Sequence, residues 1–533
     1  MMDFNAYSFA GRRSNVMARR GVVATSQPLA AQAGLSILQQ GGNALDAAIA
    51  TVAALCVVEP TSTGVGGDAF ALIWSAAEQR LYGLNASGPA PPALTAAWVR
   101  AQGHDTLPER GAIPVTTPGS VRGWEAAMQR FGSLDLAAAL RPAIDYARDG
   151  FPVSEIIAGH WRASEKLMSR HPVSRRVWLP GGRAPRPGQI FRNPDFARTL
   201  QQIADQGADA FYKGPIAQQI AGTVQEGGGV LSMDDLAQYQ PEWVEPISSE
   251  YRRGFTFHEI PPNGQGLTAL LALNVARGFD LPALAYDDPQ RVHLLVEAMK
   301  LAFADAQAYI ADPRHADVPL ADLLSDSYTA QRRALVDRER AQTPQPGRPA
   351  QRGDTVYLAT ADEAGNMVSW IQSLYMGFGS GLTAGDTGVQ LQNRGANFTL
   401  EAGHPNQVAP GKRPYHTIIP GFITRDGAPW ATFGVMGGFM QPQGHLQVGV
   451  NLVDYGMDPQ AALDAPRFRW LDGLRVALED AFGPQMRQAL ATRGHDVTTA
   501  GSYGGGQIIV RDPDSGVLIA GSEPRKDGAA VGW

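Results

Sequence analysis

Asp354-Thr-Val-Tyr-Leu-Ala-Thr-Ala-Asp362, the turn Glu363-Ala-Gly-Asn366 and Met367-Val-Ser-Trp-Ile-Gln-Ser-Leu374 form the stretch whose reading decides the fold. Two runs rich in β-branched and aromatic residues, joined by a turn holding Gly and Asn, predict a β-hairpin. Just upstream, Pro344-Gln-Pro-Gly-Arg-Pro349, Gln351 and Arg352 have almost nothing to bury, a composition that stays mobile; the linker is placed at about 341–354. A linker running directly into a hairpin leaves two readings of Thr355. It simply opens a strand, or it is an N-terminal nucleophile exposed by cutting the Asp354–Thr355 bond. In the second reading the hydroxyl attacks a carbonyl carbon while the freed α-amine takes its proton. That amine has an ordinary pKa of about 7.7–8.0, which suits a base near neutrality.

The 533 residues could form several average domains or one large layered unit. Apolar residues at 44% and charged ones at 18% describe an ordinary soluble protein with ample core. A net charge of −6 argues against nucleic acid as a partner. The single cysteine, Cys56, lies in an apolar run and is expected to be buried rather than reactive. Residues 1–20 carry arginines without an apolar core, so no secretory signal is read there, and no run is long enough to span a membrane. A cytoplasmic enzyme-sized protein fits this composition.

Upstream of the hairpin, Val22–Thr25 reads as a strand and Pro28–Gln40 as a helix. Asn43 caps a second helix, Ala-rich enough to be buried on both sides. Gly64-Val-Gly-Gly-Asp68 lies between a helix and a strand, the reverse of a dinucleotide fingerprint, and reads as a turn. Leu134–Gly150 looks helical with a break or restart at Pro142, and Arg170–Arg192 reads as a basic, solvated loop. Asp288 and Pro289 open a long helix that is core, with His293 and Glu297 structural. Later strands are expected at Thr417–Ile423, Trp430–Val435, Gln507–Arg511 and Val517–Ala520, and a helix at Gln443–Leu452. Strands on both sides of Thr355 suggest two stacked sheets with helices on their outer faces.

There is no His-Glu-x-x-His, Cys-x-x-Cys, Gly-x-Ser-x-Gly or Walker lysine, and the ten histidines are scattered. No metal and no cofactor are expected.

Several stretches jointly resemble the γ-glutamyltransferase family of N-terminal nucleophile hydrolases. They are Ala30–Gly34 with Gly41–Ala47, Glu59-Pro60 with Gly64–Gly67, Pro261-Pro-Asn-Gly-Gln-Gly266, the helix His293–Pro313, the Thr355 hairpin, Gly411–Pro414, Gly437-Gly438 and Glu523-Pro-Arg525. Their order and spacing cover nearly the whole chain. The resemblance implies a four-layer αββα sandwich and an inactive precursor that cuts itself before Thr355. Fragments 1–354 and 355–533 would stay associated as one structural domain, a heterodimer that could pair again. The substrate would be a small-molecule amide, attacked by Thr355 to give an acyl-enzyme that water or an acceptor amine resolves.

Carried over by position, Ser373 falls where the family has a second Thr supporting the nucleophile, and the N–H groups of Gly437 and Gly438 match its oxyanion hole. The substrate positions depart. Ser87-Gly-Pro-Ala-Pro91 stands where an Arg-Glu-x-Ala-Pro motif would hold the α-carboxylate. Asn397 replaces the Asp for the α-amino group, His416-Thr417 a Ser-Ser pair, and Tyr375 an Asn. The segment between Phe398 and Gly411 is too short for the lid loop. Losing both halves of a zwitterion clamp costs several kcal/mol of charge-assisted contacts, by order of magnitude. Arg394 could rescue a carboxylate, and His416 could donate to one or simply pack. Three readings stay open: γ-glutamyl compounds such as glutathione, a small amide-acid of the oxamate kind or an N-acyl compound, and an uncleaved, catalytically silent binding protein.

Overall fold

The computed structural model describes residues 13–343, 354–499, 501 and 503–533. Its principal strands are β1 (Val16–Ala18), β2 (Gly21–Thr25), β3 (Asp68–Ser75), β4 (Arg80–Ala86), β5 (Glu242–Val244), β6 (Ile247–Arg252) and β7 (Phe255–Glu259). They continue with β8 (Asp354–Asp362), β9 (Met367–Tyr375), β10 (Gly421–Arg425), β11 (Ala428–Met436), β12 (Gly505–Arg511), β13 (Leu518–Ser522) and β14 (Ala529–Gly532). Two seven-stranded sheets result, ordered β14-β2-β8-β9-β3-β4-β5 and β1-β13-β12-β11-β10-β7-β6. Helices α1 (Pro28–Gln39), α2 (Ala44–Val58) and α3 (Leu136–Asp149) cover the first. Helices α4 (Gly266–Ala276), α5 (Pro289–Tyr309) and α6 (Gln441–Val453) cover the second. This is the αββα sandwich.

Strand β8 shows how the sequence builds the layers. Val356 and Leu358 point into the core shared with α2, while Tyr357, Ala359 and Ala361 point between the sheets toward Phe422, Ile509 and Ala520. That is the period-two alternation of a strand with cores on both faces. Burying each large apolar side chain contributes about 1.5–3 kcal/mol. Every residue of α2 is buried, as its alanine content requires, and Asn43 with Asp46 forms a capping box at its start. Cys56 is also buried, accepts from Gln372 Nε2 at 3.1 Å, and its thiol is pushed up to about 12 by burial. Each sheet contains strands from both sides of the Asp354–Thr355 bond, and the two segments share one core.

Four expectations are corrected. Residues 172–178 form a helix, because Pro172 starts it and Trp178 buries against Trp161, Phe191 and Phe378. Helix α3 runs through Pro142 unbroken, its apolar face (Leu140, Ala143, Ile144, Ala147) held in the core. Thr417–Pro420 are not strand, since their polar groups bond to side chains around the site described below. Of the linker, Pro344–Gly353 lies outside the described residues, but Ala341 and Gln342 are tied down: Ala341 N–H donates to Arg493 O at 2.7 Å.

Candidate active site

Thr355 lies at a bulge. The register of β8 against β9 shifts between Asp354, opposite Tyr375, and Val356, opposite Gln372. A bulge re-aims one side chain and relieves it of regular pairing. The Thr355 hydroxyl donates to Ser373 Oγ at 3.3 Å, and Ser373 Oγ also accepts Tyr375 N–H at 2.7 Å. From the start of helix α6, Gln441 Nε2 donates to Thr355 Oγ1 at 3.4 Å, while Gln441 Oε1 accepts Ile419 N–H at 2.9 Å. The Thr355, Ser373 and Gln441 side chains are all buried.

Gln441 begins α6, three residues beyond Gly438. Gly437 and Gly438 adopt φ of 126° and 62°, a conformation that favours glycine, and open the short helical turn Gly438–Met440. The first N–H groups of such a turn have no acceptor inside it, which makes them available to an anion. Gln265 fastens the turn to the opposite wall: its Nε2 donates to Gly438 O at 2.9 Å and to Thr417 O at 2.5 Å, and its Oε1 accepts the Tyr415 hydroxyl at 3.1 Å.

Beside this lies a charged pocket. The Arg394 guanidinium sits 4.5 Å from the centroid of the Tyr375 ring, on a residue whose φ is +82°. Arg394 Nη1 donates to Thr417 Oγ1 at 2.7 Å, while its Nε and Nη2 are buried without a hydrogen-bond partner among the described residues. Burial pulls the guanidinium down to about 10, against the attraction of Asp68, and pushes the Tyr375 phenol up to about 12. Asp68 Oδ1 accepts N–H groups of Gly88 (3.0 Å) and Gly119 (3.2 Å) and Gln392 Nε2 (3.0 Å). Its Oδ2 faces His416 Nε2 at 3.1 Å. Ile418 N–H donates to His416 Nδ1 at 3.4 Å, so the neutral ring carries its proton on Nε2, toward Asp68. Burial, then Arg394 and Arg413, holds His416 well below its usual range, hence neutral.

The structure thus brings Thr355, Ser373, Tyr375, Arg394, Thr417, Gly437 and Gly438 into one network. His416 joins it through Asp68. Asn397 is half-buried at its edge and commits its amide to Tyr415 O at 3.1 Å. Ser87 bonds to Asn85 Oδ1 at 2.7 Å and supplies no cation. Sequence reasoning missed Gln265, Gln441 and Asp68. The first lay inside the quoted Pro261–Gly266 motif and the last inside a cluster read as a turn; for Gln441 no local signal exists.

Burial raises the Asp68 carboxyl to about 7 from an ordinary 3.8, outweighing Arg394 and the donors on Oδ1. A raised carboxyl pKa means the folded state holds the proton more tightly than the unfolded chain. The contribution is fully present below the ordinary value and is lost as pH rises through the folded one. Relative to Asp68→Asn, the wild-type protein is therefore expected to lose stability between pH about 4 and 7, read by urea unfolding across that range. A pH-independent difference would show that Asp68 is not the titrating group.

A hydroxyl at the head of a central strand in an αββα sandwich, facing a glycine turn, defines the N-terminal nucleophile hydrolase class. The family model for gamma-glutamyltranspeptidase matches residues 30–533, and the chain belongs to that family. It is a self-processing amidohydrolase of this class. The chain is 39% identical over 97% of its length to the glutathione hydrolase-like YwrD proenzyme of Bacillus subtilis, covering 99% of that protein. It is 36% identical to the oxamate amidohydrolase proenzyme of Klebsiella pneumoniae, covering 98% of this chain and 100% of that one. The crystal structure of cephalosporin acylase from Bacillus halodurans superposes with a TM-score of 0.93 at 50% identity, covering 100% of this chain and 99% of that one.

Proposed function

We propose that Thr355 is the nucleophile and that the enzyme hydrolyses a small amide carrying a carboxylate near the scissile carbonyl. The observation that supports this substrate class most directly is Arg394, a buried guanidinium with two nitrogens unpartnered among the described residues, beside the Thr355 hydroxyl network. A carboxylate accepts bidentate donation from such a fork. Among the described residues the carboxylate near it, Asp68, is engaged by Gly88, Gly119, Gln392 and His416, and Asn397, which stands where the family has the Asp for the α-amino group, commits its amide to Tyr415 O. An oxamate-like amide-acid therefore fits better than a γ-glutamyl zwitterion.

In the precursor, Thr355 Oγ attacks the carbonyl carbon of Asp354, the chain shifts from nitrogen to oxygen, and water cleaves the ester. This severs the chain between Asp354 and Thr355, with both fragments still associated, and leaves the Thr355 amine free. Asp354 lies opposite Tyr375 in the sheet, so its departure opens the side on which Tyr375 and Arg394 stack. In each turnover the amine takes the hydroxyl proton as oxygen attacks the substrate amide, then returns it to the leaving nitrogen. The N–H groups of Gly437 and Gly438 receive the oxyanion; one such donor is worth about 3–4 kcal/mol. Ser373 and Gln441 orient the hydroxyl. Water then hydrolyses the acyl-enzyme. Hydrolysis is favoured over transfer because Phe398, Leu400 and Val408 pack with Leu94, Val99 and Leu107 rather than forming a long lid.

A panel of chromogenic amides tests the substrate class. Oxamate-like amides, which carry a carboxylate but no ammonium, are expected to exceed a γ-glutamyl anilide, which carries both, by about 100-fold in kcat/KM, the scale of one lost charge-assisted contact set. Efficient γ-glutamyl release would contradict the roles given to Ser87, Asn397 and Arg394.

A further inference from the structure

Away from the site, one stripe of α5 carries His293, Glu297 and Lys300, spaced four and three residues apart and all buried. Lys300 Nζ donates to Glu297 Oε1 at 2.7 Å. The remaining bonds of this ion pair fall on a single residue: Lys300 Nζ donates to Gln342 O at 3.0 Å, and Gln342 N–H to Glu297 Oε2 at 3.2 Å. His293 Nε2 lies 2.9 Å from Asp337 O, and its Nδ1 lies 2.8 Å from His495 Nε2. Gln290 Nε2 donates to Arg338 O at 2.6 Å, and Ala341 N–H to Arg493 O at 2.7 Å. Yet the side chains of Asp337, Arg338, Glu339, Arg340 and Gln342 are exposed. The grip is on backbone.

Ligand-type atoms of His293, Glu297 and His495 lie within 4.8 Å of one another, a set that could suggest a metal. Here the Lys300 ammonium already occupies the cation position against Glu297, and His293 spends both ring nitrogens on His495 Nε2 and Asp337 O, while His495 Nδ1 is buried without a hydrogen-bond partner among the described residues.

We propose that His293, Glu297 and Lys300, with Arg493 and His495, form a dock for the backbone of residues 337–342. The dock positions the segment that leads to the scissile bond and pins the end of the large fragment against the small one. It rests on cleavage at Asp354–Thr355, because residues 337–342 belong to one product while Arg493 and His495 belong to the other. Self-cleavage is sensitive to such placement, since a displacement of about 1 Å can cost roughly 100-fold in an attack geometry. These are positioning residues; none touches the reacting atoms.

The test uses the full chain. Glu297→Gln/Lys300→Met removes both charges at nearly constant volume, and Ala341→Pro deletes a donor from the strap without altering the core. For each variant, fragment appearance is timed on denaturing gels. Mature turnover is measured per cleaved molecule, and trypsin cutting after Arg338 and Arg340 is followed by mass spectrometry. Expected are self-cleavage about tenfold slower, turnover within about twofold of wild type, and trypsin cutting at least about tenfold faster. Unchanged cleavage and trypsin rates in Ala341→Pro would overturn the dock whether or not the double variant folds. So would equal losses in cleavage and turnover, or stability that depends on added zinc and is lost to a chelator. If wild-type protein never cleaves, it is the nucleophile assignment that fails instead.

Discussion

With Thr355 replaced by Ala, the chain remains a single full-length polypeptide on prolonged incubation and shows no amidase activity above about 10⁻⁴ of wild type. Both losses have one cause. In the proposed mechanism the oxygen that attacks the Asp354 carbonyl is the oxygen that later attacks substrate, and the amine that activates it exists only after the first attack. Thr355→Ser keeps the oxygen and loses the methyl that restricts the side-chain rotamer. It is expected to cleave and turn over, each slower by about tenfold, the cost of a less ordered hydroxyl at roughly 1.4 kcal/mol. The fold should survive either change, because the neighbouring contacts of β8 are made by Val356, Tyr357 and Leu358. Intact-mass and N-terminal analysis of mature wild-type protein should find a fragment beginning at Thr355. A Thr355→Ala protein that still splits there would remove Thr355 from the mechanism.

The hairpin was legible because its chemistry is local: two alternating runs and a Gly-Asn turn dictate β8 and β9. The long helix α5 was legible for the same reason, with Asp288 and Pro289 marking its start. Thr417–Pro420 was not, because its apolar and β-branched residues have strand propensity while Gln265, Arg394 and Gln441 take its polar groups. The tertiary partners override the local preference. The basic stretch after Arg170 misled in the opposite direction. Its arginines advertise solvent, but Ser174 and Trp178 turn inward and make it a helix with a buried side. Of the candidate site, Thr355 stood out at the junction of linker and hairpin, and Ser373 and the Gly437-Gly438 pair were named through the resemblance to the γ-glutamyltransferase family; the structure sets all four in one network. Asp68 could not be named in either way, since its partners Gly88, Gly119, Gln392 and His416 come from four separate segments. That convergence also explains why His416 does not reach out to a substrate.

Arg394→Met should lower kcat/KM toward carboxyl-bearing amides by about 100- to 1,000-fold, while a neutral amide of similar size stays within about threefold. Methionine keeps an unbranched stem against the Tyr375 ring but deletes the cation and its open donors. A buried cation removed from beside a buried carboxylate would ordinarily cost the fold several kcal/mol, at order of magnitude. Here the carboxylate has a way out. Arg394 is among the influences that lower Asp68, so without it the Asp68 carboxyl, already raised to about 7, climbs further and becomes neutral. Charge leaves the pocket as a pair, and stability near neutral pH should fall less than specificity does. Arg394→Lys restores a cation without the planar fork and should recover only part of the preference, because bidentate geometry is lost. Equal losses toward charged and neutral amides would mean that Arg394 only braces Tyr375 and Thr417. Retained preference for the acid would place its carboxylate elsewhere in the pocket, and the amide-acid reading would then lose its support.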